Sequence, residues 1–251
     1  MTINLNGHEK RVSAAVKEFW KVRERDGVRA GKTLDGFVNV LKWVVNSHGM
    51  PNATIHSGAS AKVPGFFRPS KAWDLLIMDG DTLIAAIELK SIADAFGKNS
   101  NNRNEEALGS GTDIKEAFEE GAFDELTRLF TGYLILVEDC EGTASDVKIQ
   151  MKYFKAMDEF VTDERLRNGT YERNQKGEFP SVFGASYMSR FEILCRRLMQ
   201  KQLYTAACVI KSPRTAINDG DYGYASKETS IKAFLASLAS HVETIAAIRD
   251  Q

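Results

Sequence analysis

The sequence predicts an α/β protein in which a central mixed β-sheet is flanked by helices, with helical additions at the N- and C-terminal ends. Two apolar runs, AWDLLIM (72–78) and TLIAAIELK (82–90), flank an Asp-Gly-Asp turn at 79–81 and predict a β-hairpin. A helical pattern at 112–130 precedes YLILVED (133–139), and this order favours a buried strand reached by a crossover connection. We expect one domain over 1–251, because α/β domains often reach this length.

The remaining segments complete this order of elements. Residues 8–24 place their apolar side chains on one helical stripe, and a second helix begins near Thr33 and stops at Gly49. The other assignments are loop at 51–70, loop in the asparagine-rich 97–104, a charged helix at 148–167, polar loop at 168–180, a helix at 186–201, a strand at 203–210 and a last amphipathic helix at 227–248.

Cysteine and histidine usage excludes several classes of site. Cys140, Cys195 and Cys208 are odd in number and lack CxxC spacing, which predicts reduced thiols and argues against a disulfide framework or a zinc site. The four histidines form no HxxxH or HEXXH pair, so histidine-dependent metalloproteases and nucleases lack their ligands. No stretch approaches about 20 apolar residues, so we expect a cytoplasmic protein without a membrane partner.

Charge is distributed unevenly although the net charge is only −1. Residues 1–70 carry 11 Lys and Arg against 5 Asp and Glu, residues 71–160 carry 9 against 19, and residues 161–251 carry 13 against 10. An acidic middle that could hold a divalent cation thus lies between basic flanks that could meet phosphate. An uneven solvated surface would give the same pattern.

The pattern with most chemical content is Asp74 followed, after thirteen residues, by Glu88-Leu89-Lys90. Glu88 and Lys90 close a predicted strand, where residues i and i+2 project from one face. The hairpin should fold the first strand back so that Asp74 lies opposite residues 85–88. Two carboxylates and an ammonium group then converge beside a mostly buried sheet.

Two further acid-x-lysine pairs occur, and their contexts are less favourable. Asp113 and Lys115 open the predicted helix at 112–130, where residues two apart point to different sides. Asp146 and Lys148 lie in a polar connection with no second acid on a neighbouring strand.

The arrangement of these side chains on the hairpin could bind a hard divalent cation. Mg²⁺ takes one or two carboxylates together with carbonyl, water and phosphate oxygens, which Asp74, Glu88 and the Leu89 carbonyl could supply in part. Lys90 would orient the attacking water, help to deprotonate it, or stabilise charge on the reacting phosphate. The alternative is a surface salt bridge between Glu88 and Lys90, with Asp74 capping the hairpin.

This arrangement resembles the PD-(D/E)XK nuclease motif, with Trp73 in place of the usual proline. Four segments resemble the XhoI-type restriction endonucleases: FRPSKAWDLLIMDGDTLIAAIELK (67–90), GKNSNNRNEEALGSG (97–111), AFEEGAF (117–123) and ASYMSRFEILCRRLMQKQLYTAAC (185–208). The resemblance implies a restriction-endonuclease-like fold with its catalytic core at about 65–140.

The resemblance also implies partners and a reaction. A homodimer would bind a palindromic DNA duplex and cut each strand with Mg²⁺, in a restriction–modification system with a cognate DNA methyltransferase. The site expected from the XhoI family is CTCGAG, although the loop at 91–100 departs from what close relatives should show. A structure-selective or repair nuclease, or a non-catalytic DNA-binding protein, remain alternatives.

Further candidates surround this centre. Asn101, Asn102 and Arg103 follow the active-site strand and could contact DNA backbone or base edges, and Lys71 is assigned to DNA with them. The alternative for the asparagine-rich stretch is a solvated turn.

The accessory candidates are charged side chains on predicted helices. Glu18 and Glu105 are possible accessory acids, against ordinary roles as a solvated helix charge and as a partner of the helix dipole. Arg196 and Arg197 lie either on a solvated helix face or against phosphate.

Overall fold

The computed structural model describes residues 3–27, 33–123, 128–164, 166 and 171–249. Its helices are α1 (His8–Asp26), α2 (Asp35–Ser47), α3 (Phe96–Glu119), α4 (Glu141–Ala144), α5 (Tyr187–Gln200), α6 (Ala216–Asp219) and α7 (Ile231–Arg249). Its strands are β1 (Thr54–His56), β2 (Lys62–Val63), β3 (Lys71–Ala72), β4 (Leu75–Asp79), β5 (Thr82–Ile92), β6 (Phe130–Glu138), β7 (Val147–Ile149), β8 (Val182–Gly184), β9 (Ala206–Ser212) and β10 (Gly223–Tyr224).

A mixed six-stranded sheet forms the centre, in the order β1-β4-β5-β6-β9-β10. β4 and β5 make the predicted antiparallel hairpin, with Asp79 opposite Thr82 and the turn glycine Gly80 at φ 59°, a conformation that glycine adopts readily. β5, β6 and β9 run parallel, and α3 supplies the predicted crossover between β5 and β6. These observations confirm the predicted α/β class and the mixed sheet.

Helices cover both faces of the sheet. One face packs against α1, α2 and α7, and the other packs against α3 and α5. Strand β6 is buried at all nine positions, as expected for a central strand covered on both sides. Cys195 and Cys208 lie in these two cores as free thiols, and burial raises the pKa of each.

One arginine ties together the carboxyl ends of the parallel strands. The Arg214 guanidinium donates to both carboxylate oxygens of Glu138, at 2.6 and 3.2 Å, and to the Ala93 carbonyl at 2.8 Å. Glu138 ends β6, Ala93 directly follows β5, and Arg214 follows β9. This edge of the sheet is therefore fixed by side-chain hydrogen bonds as well as by strand pairing.

Residues 145–185, which we call the insert, separate the central strand from α5. The insert contains the antiparallel pair β7–β8 and a small core of its own, formed by Ala156, Val161, Tyr171 and Val182. It contacts α5 through Glu159, whose carboxylate binds the guanidinium groups of both Arg196 and Arg197.

The asparagine-rich stretch 97–104 is helical, so the loop prediction was wrong. α3 begins at Phe96, whose ring packs against Tyr187, and its apolar face is buried against the α3–α5 core. Burial of that face outweighs the weak helix propensity of asparagine. The predicted helix at 112–130 is the second half of α3, which ends at Glu119 before residues 120–123 and does not extend to Leu129. Residues 124–127 lie outside the described part.

The charged helix predicted at 148–167 is absent through residue 163. The chain forms β7, extended segments and a 3-10 turn at Asp158–Phe160. Charged residues there are spaced without a continuous apolar helical face, and Ala156 and Val161 are buried locally in the small core. Residues 165 and 167 of the predicted helix lie outside the described residues.

The loop predicted at 51–70 is also partly wrong. β1 adds an edge strand beside β4, and β2 pairs with β3. Strands of two or three residues have too few positions to show an alternating pattern. The remaining predicted elements are confirmed with shifted ends: α1, α2, β6, α5, β9 and α7.

α7 combines 19 residues with an apolar composition, so length and composition alone would fit a membrane span. In the fold, Phe234, Leu235, Leu238 and Val242 on its inner face are buried in the core with α1 and α2. Its apolar character is thus accounted for by packing against the sheet.

Candidate active site

The hairpin places Asp74 beside Glu88. β4 begins at Leu75, which pairs with Ile87, and Asp74 directly precedes it. The Leu89 amide donates to Asp74 Oδ2 at 2.9 Å. Trp73 and Asp74 lie between β3 and β4 and not inside one strand from 72 to 78, yet Asp74 reaches the position that the hairpin predicted.

Glu88 and Lys90 project from the same face of β5, as their spacing requires. The Lys90 ammonium lies 2.7 Å from Asp74 Oδ2 and 2.5 Å from Glu88 Oε2. The three residues singled out in the sequence therefore meet at one point. By contrast, Asp113, from the second acid-x-lysine pair, lies inside α3 and binds Arg68.

A second lysine reaches the same carboxylate. Lys71 Nζ lies 2.8 Å from Glu88 Oε1 and 5.4 Å from the centre of the Trp73 ring, and it is mostly buried. The sequence assigned Lys71 to DNA and did not connect it with Glu88. Lys71 lies on β3, which pairs with β2. Strands of two residues leave no alternating pattern in the sequence, so the contact of Lys71 with Glu88 could not be predicted from it.

The two carboxylates have different electrostatic surroundings. Glu88 is only 2% exposed; burial raises its pKa and the Asp74 charge raises it further, against the lowering effect of Lys90 and Lys71. Burial also acts to raise the pKa of Asp74, but the Lys90 charge and hydrogen bonds outweigh it, so that pKa is lowered. Burial acts to lower the pKa of Lys90, but Glu88 and Asp74 hold it above its usual value.

The geometry fits a cation between the two acids. Asp74 Oδ2 and Glu88 Oε2 both contact the single positive centre of Lys90, so they converge on one cation already. Two converging carboxylates match the hard-oxygen preference of Mg²⁺. Among the described residues, no third His, Cys, Asp or Glu joins them to form a larger ligand group.

The chain matches a known protein family over most of its length. The family model "Restriction endonuclease XhoI" matches residues 20–224, a span that contains the whole centre. This chain belongs to the XhoI family of restriction endonucleases.

Its relatives are similar over most of their length. Type II restriction enzyme XhoI of Xanthomonas vasicola is 35% identical over 218 residues, covering 80% of this chain and 79% of the relative. Type II restriction enzyme BstVI of Geobacillus stearothermophilus is 34% identical over 230 residues, covering 89% and 93%. Type II restriction enzyme AbrI of Azospirillum brasilense is 38% identical over 156 residues, covering 55% and 70%. No solved structure matches the chain.

The centre of this XhoI-family protein opens onto a cleft of about 1100 Å³. Asp74, Lys90 and Arg103 line it together with Lys62 and the start of α2. Arg103 is half-buried and pairs with Glu106 at 2.6 Å. Of the DNA candidates, Arg103 lines this cleft and Lys71 contacts Glu88 at the candidate centre.

The other candidates lie on helix surfaces outside this cleft. Asn101 and Asn102 are exposed on α3, and Asn101 donates to the Glu105 carboxylate at 2.8 Å. Glu105 and Glu106 lie in the middle of α3 and not at a helix start, so the predicted partnership with the helix dipole was wrong. Glu18 on α1 lines a separate small cleft with Arg11 and Asn39.

Proposed function

We propose that this protein is a magnesium-dependent type II restriction endonuclease that hydrolyses both strands of duplex DNA at a short palindrome. The observation that carries the proposal is the convergence of Asp74, Glu88 and Lys90 at one point beside an open cleft. Membership of the XhoI family supports the reaction class. Residues 1–251 act as one endonuclease domain, with the catalytic core at about 65–140.

Asp74, Glu88 and the Leu89 carbonyl would hold the metal. Bound Mg²⁺ would polarise the scissile phosphate and make a coordinated water more acidic. The backbone amide of Leu89 donates to Asp74, and Lys71 binds Glu88 Oε1. Both carboxylates are therefore oriented before the substrate binds.

Lys90 acts on the reacting groups. Its ammonium occupies the place between the acids that the cation would take, and the side chain lines the cleft. Displaced from the carboxylates, the ammonium can donate to the attacking water or to a phosphate oxygen, where negative charge develops in the transition state. Arg103 and Lys62 add positive charge along the same cleft for the DNA backbone.

Membership of the XhoI family supports an expected recognition sequence and assembly. We expect CTCGAG as the site, read by a homodimer whose two-fold axis matches the palindrome. The physiological setting would be the cytoplasm, where a DNA methyltransferase of the same system protects host DNA.

Digestion of unmethylated plasmid and phage DNA with Mg²⁺, followed by mapping of the ends, tests the function. Discrete fragments ending at one palindrome support it. Asp74→Asn protein purified in the same way should leave the DNA intact, which controls for contaminating nucleases. Cuts confined to branched or nicked DNA would favour a repair nuclease, and a gel shift without cleavage would favour a non-catalytic DNA-binding protein.

A further inference from the structure

One rim of the insert exposes large apolar side chains. Tyr153 is 65% exposed, Phe154 73% and Met157 64%. Single exposed apolar residues are common, but a group of them within five positions indicates a contact surface. We call residues 147–157 the insert rim.

The insert rim is also basic. Lys148, Lys152 and Lys155 are exposed, with Lys152 paired to Glu178 at 3.1 Å. The rim itself contains no Asp or Glu, although residues 71–160 together carry ten more acids than bases. Exposed lysines can bind the phosphates of a nucleic acid, and aromatic side chains between them can contact its bases.

The backbone of the rim is held in place. Ala156 is buried in the small core, the Phe179 amide donates to the Lys152 carbonyl at 2.8 Å, and Arg173 Nη2 donates to the Tyr153 carbonyl at 3.0 Å. The aromatic rings therefore project from an anchored segment. Their exposure is a property of the fold and not of a loose loop.

The insert follows the edge of the sheet that is formed by the carboxyl ends of the parallel strands. It follows β6 at the carboxyl ends of the parallel strands, and Glu88 lies four residues from Ile92 at that edge, a span of about 13 Å. The insert rejoins the core at α5, whose Tyr187 packs on Phe96 just after β5. Ligands of open α/β sheets bind outside the carboxyl ends of the strands.

We propose that the insert rim is a second DNA-binding surface, in which Lys148, Lys152 and Lys155 contact phosphates and Tyr153 and Phe154 contact bases of the same duplex. The proposal rests on the proposed endonuclease function. A second copy of the chain is a poorer fit, because a two-fold contact through the rim would bring the lysines of both copies together. Duplex DNA supplies the opposite charge, base edges in its grooves, and base faces where an apolar side chain wedges between base steps.

The lysines are tested by the salt dependence of binding. A triple Lys148→Gln, Lys152→Gln, Lys155→Gln variant should bind cognate duplex in Ca²⁺ more weakly, and the slope of log K against log salt should fall by about 2 to 3, close to 0.9 per lost phosphate contact. The matched control changes Lys10, Lys21 and Lys232 to Gln, because these exposed lysines lie on α1 and α7 over the opposite face of the sheet. Its slope should not change.

The aromatic residues are tested by specificity. Phe154→Ala and Tyr153→Ala should each lower cognate affinity about tenfold, since base contacts are worth about 1–3 kcal/mol, while non-specific affinity changes less than threefold. Tyr224→Ala, an exposed aromatic on the distant edge strand β10, is the control and should change neither affinity.

Other results would overturn either the proposal for the insert rim or the proposed function. Unchanged slope and specificity in the rim variants overturn the proposal, as does a shift in the monomer–dimer equilibrium without loss of DNA affinity, which would make the rim a subunit interface. Failure of the wild-type protein to cut at discrete sites would instead overturn the proposed function, and the binding measurements would still decide the rim.

Discussion

At the scale of single residues, the distinctive feature is a buried carboxylate shared by two lysines. Glu88 receives Lys71 on one oxygen and Lys90 on the other, and Lys90 also contacts Asp74. The centre therefore has two positive and two negative groups, so its charges balance without a metal. The two lysines occupy different positions relative to the acids and the cleft, which predicts different consequences when each is removed.

Lys90→Ala should lower the single-turnover cleavage rate by a factor on the order of 10² or more, because in the proposed function the ammonium acts in the transition state. Metal affinity should stay the same or rise, since a positive charge beside Asp74 and Glu88 is removed. A Mg²⁺ titration of the rate on a cognate duplex measures both quantities. Full recovery of the rate at high Mg²⁺ would show that Lys90 organises the metal site and does not act in the transition state. An unchanged rate would show that Lys90 forms only a salt bridge.

Lys71→Met should lower the rate at saturating Mg²⁺ by roughly 10- to 100-fold, the usual effect of removing a group that orients a metal ligand. Affinity for DNA in Ca²⁺ should change little. Lys62→Met, on the paired strand β2, removes a lysine charge that lines the cleft without removing a partner of Glu88, and should instead weaken DNA binding. Partial rescue by Lys71→Arg would separate positioning of Glu88 from general loss of structure. Equal effects of Lys71→Met and Lys62→Met on DNA binding alone would contradict this role.

At the scale of elements, the segment that leads into the active site is fastened to α3. Asp113 is buried, and its carboxylate accepts the Phe67 amide at 2.9 Å and Arg68 Nε at 2.6 Å. Burial acts to raise the pKa of Asp113, but these hydrogen bonds outweigh it and lower that pKa. The contact thus links the helix to the chain just before β3 and Lys71.

Asp113→Asn should destabilise the protein by about 1.5–3 kcal/mol at pH 7, the range for hydrogen bonds to a charged group. Because the folded pKa is lowered, the stabilisation is present above the unfolded pKa of about 3.9 and is lost as pH falls through the lower folded value. The gap in free energy of unfolding between wild type and variant, measured by urea unfolding, should be narrower near pH 3 than at pH 7. Glu119→Gln, which removes only an exposed pair with Lys115, should cost about 0–1 kcal/mol. A gap that does not narrow in acid would contradict the role assigned to the Asp113 charge.

At the scale of the whole molecule, the proposed function requires two DNA strands to be cut, whereas the described residues of one chain contain one proposed catalytic centre. A palindrome presents each strand identically about a two-fold axis, so a symmetric dimer is the simplest assembly that places one centre on each strand. The cleft and the insert rim of one chain would then serve one half-site.

Sedimentation of Asp74→Asn protein with a cognate duplex in Ca²⁺ should therefore show two chains per duplex. The variant keeps the substrate intact during the run, and a duplex with a scrambled site is the control for non-specific loading. A complex of one chain that nicks a single strand when wild-type protein and Mg²⁺ are used would count against the restriction-enzyme assembly and favour the repair alternative.

The sequence by itself determined the hairpin and the meeting of Asp74, Glu88 and Lys90. These are local properties: a two-residue turn sets the register of β4 on β5, and the alternation of a strand puts Glu88 and Lys90 on one face. The order of the long helices and of strands β4, β5, β6 and β9 also followed from apolar periodicity, because long amphipathic helices and the buried β6 carry strong patterns.

Tertiary structure decided what depends on contacts between distant segments. The asparagine-rich stretch became the start of α3 because its neighbours are buried against α5, which local propensity does not report. The helix predicted at 148–167 does not form through residue 163, because Ala156 and Val161 are buried against Tyr171 and Val182. Lys71 reached Glu88 through a two-residue strand pairing, too short to leave a periodic signal, so only the folded chain could place the second lysine on the buried carboxylate.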